Sequence, residues 1–493
     1  MSGGGAHAVR NVRIDEERFL AVRGPVLAQW RTGAEVDLQE ALDYHRGVPE
    51  HKKLPIALQR AKASRGVLMH NLTGQTTLES QRGFLSALQD QGGSGLLQCL
   101  YDSYTRTCRF AQLDAVIADC KANGKNLLNG YPLVNHGVRG NRALLEALDR
   151  PLGALGPAVD SRLASEIALA SGFTQLVDNT YIVFETYTKS ASLAEIMANF
   201  QYSLRLAAWY EEHGAPVAVT VATGAAGDNS PGVAPPSLGT AGRVLGALAA
   251  ATQGVKHLIC VNWSHGNIAQ DAASSFATQK LVREYLDRFG FTDVAAYMEN
   301  GCLGGPYPYD FDQAFAEVMY AGVISALTAA QMCQVKIFDE SAGIPTLENQ
   351  VRSLRGTGML YRILRTADVD FVNSPTVQRE MAMEEREARA IVEKVLEMGD
   401  GDILVGALRA YEAGVMDNPV ANNPRVRCKV LGIKDASGAV RYKNTGNLPF
   451  DAETREYHRE RLAAREAVLG HPVNYDTLVA DMRAIASGDW LSR

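Results

Sequence analysis

From about residue 66 onward, short and nearly continuous apolar runs alternate with longer amphipathic stretches, and this alternation restricts the possible folds sharply. The short runs are GVLMHNL, SGLLQCLYDSY, NLLNGYPLV, VAVTVATG, HLICVNWS, VAAYMENG and VKIFDES, each of strand length. Between them lie TLESQRGFLSALQDQ, SLAEIMANFQYSLRLAAWYEEHG, SLGTAGRVLGALAAATQG and DQAFAEVMYAGVISALTAAQM, whose apolar residues recur every three or four positions, as on a helix. A strand that is apolar on both faces must be covered on both, and parallel strands joined by crossover helices achieve this. The number of repeated units favours an α/β chain closed into a TIM-type (β/α)8 barrel over an open sheet.

The expected organisation is an N-terminal arm and helix over residues 1–60, a barrel domain over 61–400 and a C-terminal flanking region over 401–493. Residues 1–20 are Gly-rich and then charged, and read as a frayed arm; Trp30–Gly47 has a helical apolar pattern. Charged helices are expected at Gln378–Met398 and near Glu453–Glu466, packing outside the barrel.

With 493 residues and 46% hydrophobic content, the chain can bury one barrel of ~250 residues or more plus appendages. A net charge of -6 and no Lys/Arg cluster argue against nucleic acid as a partner. No signal-like N-terminus and no run of ~18 apolar residues is present, which points to a cytoplasmic protein without membrane spans. Seven scattered cysteines without a C-x-x-C pair suggest reduced, mostly buried thiols, with neither a disulfide framework nor a metal site. G-x-S-x-G, P-loop and H-E-x-x-H motifs are absent, and the small residues of SLGTAGRVLGALAAA suit close helix packing better than a nucleotide loop.

Eight strings carry more information than any single motif: WRTGAEVDLQEALDY, LYDSYTRTCRF, LLNGYPLVNHGVRG, VDSRLASEIALASGF, LGGPYP, ESAGIPTLEN, YEAGVMDNP and NLPFDAETREYHRERL. In order, and over nearly the whole chain, they resemble the large subunit of adenosylcobalamin-dependent glutamate mutase (methylaspartate mutase). The resemblance implies a barrel capped by a separate small cobalamin-binding subunit in a hetero-oligomer. It also implies a radical isomerisation: the cofactor's cobalt–carbon bond breaks homolytically, hydrogen leaves the substrate, a carbon fragment migrates and the hydrogen returns. A base-off cobalamin site carries D-x-H-x-x-G, whereas Asp43-Tyr44-His45-Arg46-Gly47 has its glycine one place early. His45 therefore reads as a solvated helix-end histidine, and the cofactor is expected to be held largely by the other polypeptide.

On the cofactor side, the resemblance places Gly74, Asn129, Lys336, Glu340 and Ile344 at the adenosyl group. Glu340 can accept hydrogen bonds from ribose hydroxyls, with Lys336 donating nearby. On the substrate side the pattern departs from the family. The family's three arginines, one glutamate and two tyrosines reduce here to Arg106 and Tyr187. The other arginine positions fall at Leu72 or Thr73 and at Leu155; the glutamate falls at Val177, beside Asp178, and the second tyrosine at Val183.

Two alternatives follow for this pocket. Either the substrate is an acid with fewer carboxylates than glutamate, such as a modified amino or oxo acid, or Arg109, Arg139 or Arg162 supplies the missing charge. Two further readings also remain: the same cofactor could drive elimination or decarboxylation, or the chain could be a non-catalytic scaffold for a cobalamin-binding protein.

Overall fold

The structure, a computed structural model, describes residues 9–221, 234–301, 306–367 and 369–492. Nine parallel strands form its centre: β1 (Leu68–His70), β2 (Leu72–Thr73), β3 (Leu97–Leu100), β4 (Leu152–Leu155), β5 (Gln175–Asp178), β6 (Ala218–Val221), β7 (His257–Trp263), β8 (Ala295–Gly301) and β9 (Met332–Gln334). Six pair in the order β1-β9-β8-β7-β6-β5, and three in the order β2-β3-β4. The two parallel sheets meet at both margins. Only Asn71 separates β1 from β2, and across the other margin the Thr174 N–H donates to the Leu152 carbonyl at 3.3 Å. An antiparallel hairpin, β10 (Val430–Lys434) with β11 (Val440–Thr445), lies apart from these sheets.

Every residue of β6, and all but the first of β7, is buried, as expected of strands covered on both faces. The covering helices include Leu78–Asp90, Leu193–Glu212, Ser237–Gln253, Ile268–Arg288 and Phe311–Thr328. The helix Ser237–Gln253 is buried almost all round because the helices Ile268–Arg288 and Pro375–Met398 and the strand β7 all pack against it. One hydrophobic core runs from Phe19 through the strands to Tyr411 and Phe450, so the helix Glu16–Leu27 and the C-terminal region up to Phe450 belong to the same packed body.

Several local expectations are corrected. NLLNGYPLV forms no strand; it contributes a single bridge, Tyr101 to Tyr131, before the helix Leu133–Glu146 starts. The strand expected in VKIFDES lies just before it, in β9: the Val335 N–H still donates to the His70 carbonyl at 2.8 Å, and then the chain turns away. The strands β4 and β5 had no apolar run long enough to mark them. Within Trp30–Gly47 the helix starts only at Leu38, capped by Asp37, after a short 3-10 turn.

His45 is not solvated: it is buried, bonds the Leu169 carbonyl at 2.7 Å, and burial pushes its pKa down to about 4. Cys99, Cys120, Cys260 and Cys333 are buried while Cys108 and Cys428 are exposed, all as free thiols; Cys302 lies outside the described residues. No helix among the described residues is long and apolar enough to cross a membrane.

The N-terminal segment is also more than a frayed arm, at least from residue 9. Asp15 caps a helix over Glu16–Leu27 whose Phe19 is fully buried, and the Asn11 N–H donates to the Asp402 carboxylate at 3.0 Å. From the same helix Arg23 clasps the buried Glu166 through two hydrogen bonds of 2.8 Å. Arg23→Ala would leave Glu166 buried with only the Tyr202 hydroxyl, a loss of about 3 kcal/mol or more for a broken buried pair. Thermal unfolding followed by circular dichroism should therefore show a clearly lowered midpoint; an unchanged midpoint would mean that the arm adds no stability.

Candidate functional site

The carboxyl ends of the parallel strands open into one cavity of about 550 Å³. Loops follow each strand at that end, so side chains from distant parts of the sequence converge there. Its wall includes Leu72 and Thr73 of β2, Leu155 of β4 and Val177 of β5. The positions at which the family resemblance loses cations and an acid thus form a largely apolar surface. Val183 does not line the cavity; it is fully buried in the core.

Arg106 is delivered by the turn after β3. Asp102 caps that turn, accepting from the backbone N–H groups of Tyr104 at 2.8 Å and Thr105 at 3.0 Å. The guanidinium then folds back so that Nε donates to the Tyr101 carbonyl at 2.8 Å, which leaves its terminal nitrogens at the cavity. Desolvation by burial pulls the Arg106 pKa below its usual value, against the opposing fields of Tyr187 and Asp102.

Tyr187 lines the cavity at its rim, 45% exposed, and ends the π-helical turn Val183–Tyr187. The C-terminal region holds that turn. The Glu185 carboxylate accepts from the Tyr411 hydroxyl at 2.6 Å and from Asn418 Nδ2 at 2.9 Å, and its carbonyl accepts from the Asn422 N–H at 2.7 Å.

Across the mouth lie Lys336, Glu340 and Ile344, in the loop after β9. Lys336 Nζ donates to Glu340 Oε1 at 3.1 Å and sits 5.9 Å from the centre of the Trp263 ring. Glu340 Oε2 is buried without a hydrogen-bond partner, so it is an acceptor available to a hydroxyl-bearing ligand. Asn129 also lines the cavity, from a loop secured where Asn126 accepts from the Thr76 N–H and hydroxyl at 2.8 and 2.7 Å. Gly74 does not line the cavity: a Cβ there would come within 2.3 Å of the Gly130 backbone, so its bareness seats the loop that carries Asn129.

The arginines that could have compensated lie elsewhere. Arg162 is paired with Asp160 at 2.6 Å, Arg109 covers the Tyr104 ring at 4.7 Å, and Arg139 is exposed on the helix Leu133–Glu146. None of the three lines the cavity, and residues 222–233 and 302–305 contain no Lys or Arg. Asp178 accepts from the Thr180 N–H and hydroxyl, at 2.9 and 2.6 Å, and does not line the cavity. No group of His, Cys, Asp or Glu suited to a metal ion is found among the described residues.

Below the apolar wall the cavity has a polar floor that the sequence reasoning missed. His70 Nε2 meets Glu299 Oε1 at 3.0 Å, both side chains being almost fully buried. Beside them Gln98 Nε2 donates to Gln175 Oε1, and Gln175 Nε2 to Thr220 Oγ1, each at 2.7 Å. The signal was present: each of these residues is a polar interruption of an otherwise apolar strand, as in LLQCL, AVTV and AYMENG.

Parallel strands whose carboxyl ends enclose a cavity, lined among the described residues by the Arg106 guanidinium and a buried carboxylate, define an α/β protein with a cavity whose size and polarity suit a small polar molecule. The similarity to known proteins is then specific. The chain belongs to the methylaspartate mutase E chain family, whose model matches residues 48–493. It is 32% identical over 483 residues to the glutamate mutase epsilon subunit of Desulfitobacterium hafniense, covering 98% of this chain and 99% of that protein. The epsilon subunit of Treponema denticola matches at 32% over 484 residues, with the same coverage. That of Haloarcula marismortui matches at 31% over 481 residues, covering 98% and 96%.

The floor depends on one missing side chain. A Cβ on Gly153 would lie 2.0 Å from Gln175 Oε1 and 2.5 Å from Gln98 Oε1. Gly153→Val should force both amides out of register and cost about 1–3 kcal/mol by overpacking. Urea unfolding should show a lower midpoint with an unchanged slope; full wild-type stability would show that the glutamines can rearrange freely.

Proposed function

We propose that this chain is the large catalytic component of an adenosylcobalamin-dependent carbon-skeleton mutase, working with a separate small cobalamin-binding subunit on an acid with fewer carboxylates than glutamate. In this reading the two parallel sheets, abutting at Asn71 and at Thr174, are parts of one closed (β/α)8 barrel whose mouth the small subunit covers. The observation that carries the substrate reading is the pairing of one guanidinium, Arg106, with apolar Leu72, Leu155 and Val177 in a single cavity.

Arg106 takes the substrate carboxylate through its terminal nitrogens, in the parallel two-bond arrangement a guanidinium favours. Tyr187 sits beside it at the rim, where its hydroxyl can share the same group. The apolar wall accepts the rest of the substrate and keeps water from reactive species. Asn129, Lys336, Glu340 and Ile344 receive the adenosyl group, with the unpartnered oxygen of Glu340 suited to ribose hydroxyls. When bound, adenosylcobalamin supplies the radical chemistry. Each lost charge-assisted bond to a second carboxylate is worth about 1.5–3 kcal/mol, so two absent arginines weaken a dicarboxylate by on the order of a thousandfold.

The purified chain, combined anaerobically with adenosylcobalamin and a family-type cobalamin-binding subunit, should bind cofactor yet fail to interconvert L-glutamate and 3-methylaspartate. Glutamate turnover at the relatives' rate would overturn the substrate reading. Arg106→Ala should weaken monocarboxylate binding about ten- to a hundredfold.

A further inference from the structure

The donors and acceptors on the cavity floor do not balance. His70 Nε2 occupies one oxygen of Glu299, while the other makes no hydrogen bond among the described residues. Gln98 passes its N–H to Gln175, leaving its own Oε1 without a partner, and His70 Nδ1 has none either. All three residues are at most 3% exposed, and all line the cavity. An unpaired acceptor in such a setting costs free energy unless the missing donor arrives with a ligand.

Charge leads to the same requirement. Two acids among the described residues line the cavity, Glu340 and Glu299. Glu340 is held by Lys336 at 3.1 Å, near the mouth. Among the described residues no Lys or Arg forms a salt bridge with Glu299; its hydrogen-bond partner there is the His70 imidazole, so this deeply buried carboxyl group is left without a permanent cation. A ligand that brings a carboxylate to Arg106 and a second carboxylate or a keto oxygen against Glu299 would set acceptor against acceptor. A ligand that brings an ammonium would supply three N–H donors and the missing positive charge.

We propose that Glu299 is a substrate-binding residue that receives the ammonium group of an amino-acid substrate, with His70 as the residue that positions its carboxylate. The proposal rests on the reading of Arg106 as the carboxylate anchor and narrows the substrate class to amino monocarboxylates, excluding oxo acids. Glu299 then stands in for the acid absent at Val177, approaching the substrate from a different strand.

The test titrates the full-length chain with L-2-aminobutyrate, butyrate and 2-oxobutyrate by calorimetry, without cofactor. The wild type should bind aminobutyrate about ten- to a hundredfold more tightly than the other two. Glu299→Gln, which keeps the side-chain shape, should remove that preference and leave butyrate affinity unchanged. Asp228→Asn, at an acid outside the described residues, should keep it. A preference that survives in Glu299→Gln, or that disappears in Asp228→Asn, overturns the assignment. Equal binding of all three probes by the wild type, weakened by Arg106→Ala, overturns the ammonium site and leaves the carboxylate anchor standing. Absence of binding by any probe overturns both.

Discussion

Parallel strand pairing governs this molecule. Such strands cannot be joined by tight turns, so each pair needs a long crossover, and each strand must be covered on both faces. The helices that satisfy this demand place every strand-to-helix loop at the same end of the sheets. A cavity there can be furnished from residues as far apart in the chain as Thr73 and Ile344 without any strand being disturbed. The first helix and the C-terminal region add to the cover: Phe19 and Phe450 lie in the same core as the central strands.

That shared core matters for the cavity rim. Tyr187 is carried by a π-helical turn, and the buried Glu185 within the turn is tied to Tyr411 and Asn418, more than two hundred residues downstream. Burying an acid there is tolerable because it is met by a hydroxyl and an amide. The C-terminal region therefore shapes the rim from behind. On the opposite side, the Lys336 and Glu340 pair holds the loop after β9 while keeping one acceptor open.

The parallel α/β architecture was legible because its signal is long-range and repetitive: apolar runs of strand length separated by amphipathic helices. Elements that depend on context were not. LGAL and QLVD are too short to stand out before their neighbours pair with them, and NLLNGYPLV is apolar yet reaches only one bridge. His45 looked solvated because its seat against Leu169 and Tyr210 comes from distant sequence. At the site, family resemblance indicated residues that the structure gathers around one cavity, including Arg106, Asn129, Lys336 and Glu340, but also Val183, which lies behind it. Gly74 supports the cavity indirectly. The floor was overlooked because lone polar residues in apolar strands are hard to weigh until their partners, such as Gln98 and Gln175 from separate strands, are seen together.

Wall and floor also differ in how freely they can change over evolution. Leu72, Leu155 and Val177 come from three strand ends and contribute apolar surface, so each can be exchanged for another side chain largely on its own. The floor is interlocked: Gln98, Gln175 and Thr220 hand hydrogen bonds from one to the next over the gap left by Gly153. Altering one member strands the others, so that layer changes only through concerted substitution. A lineage with this design can drift among ligands of different bulk by single steps at the wall, while the polarity it demands at the deep end stays fixed.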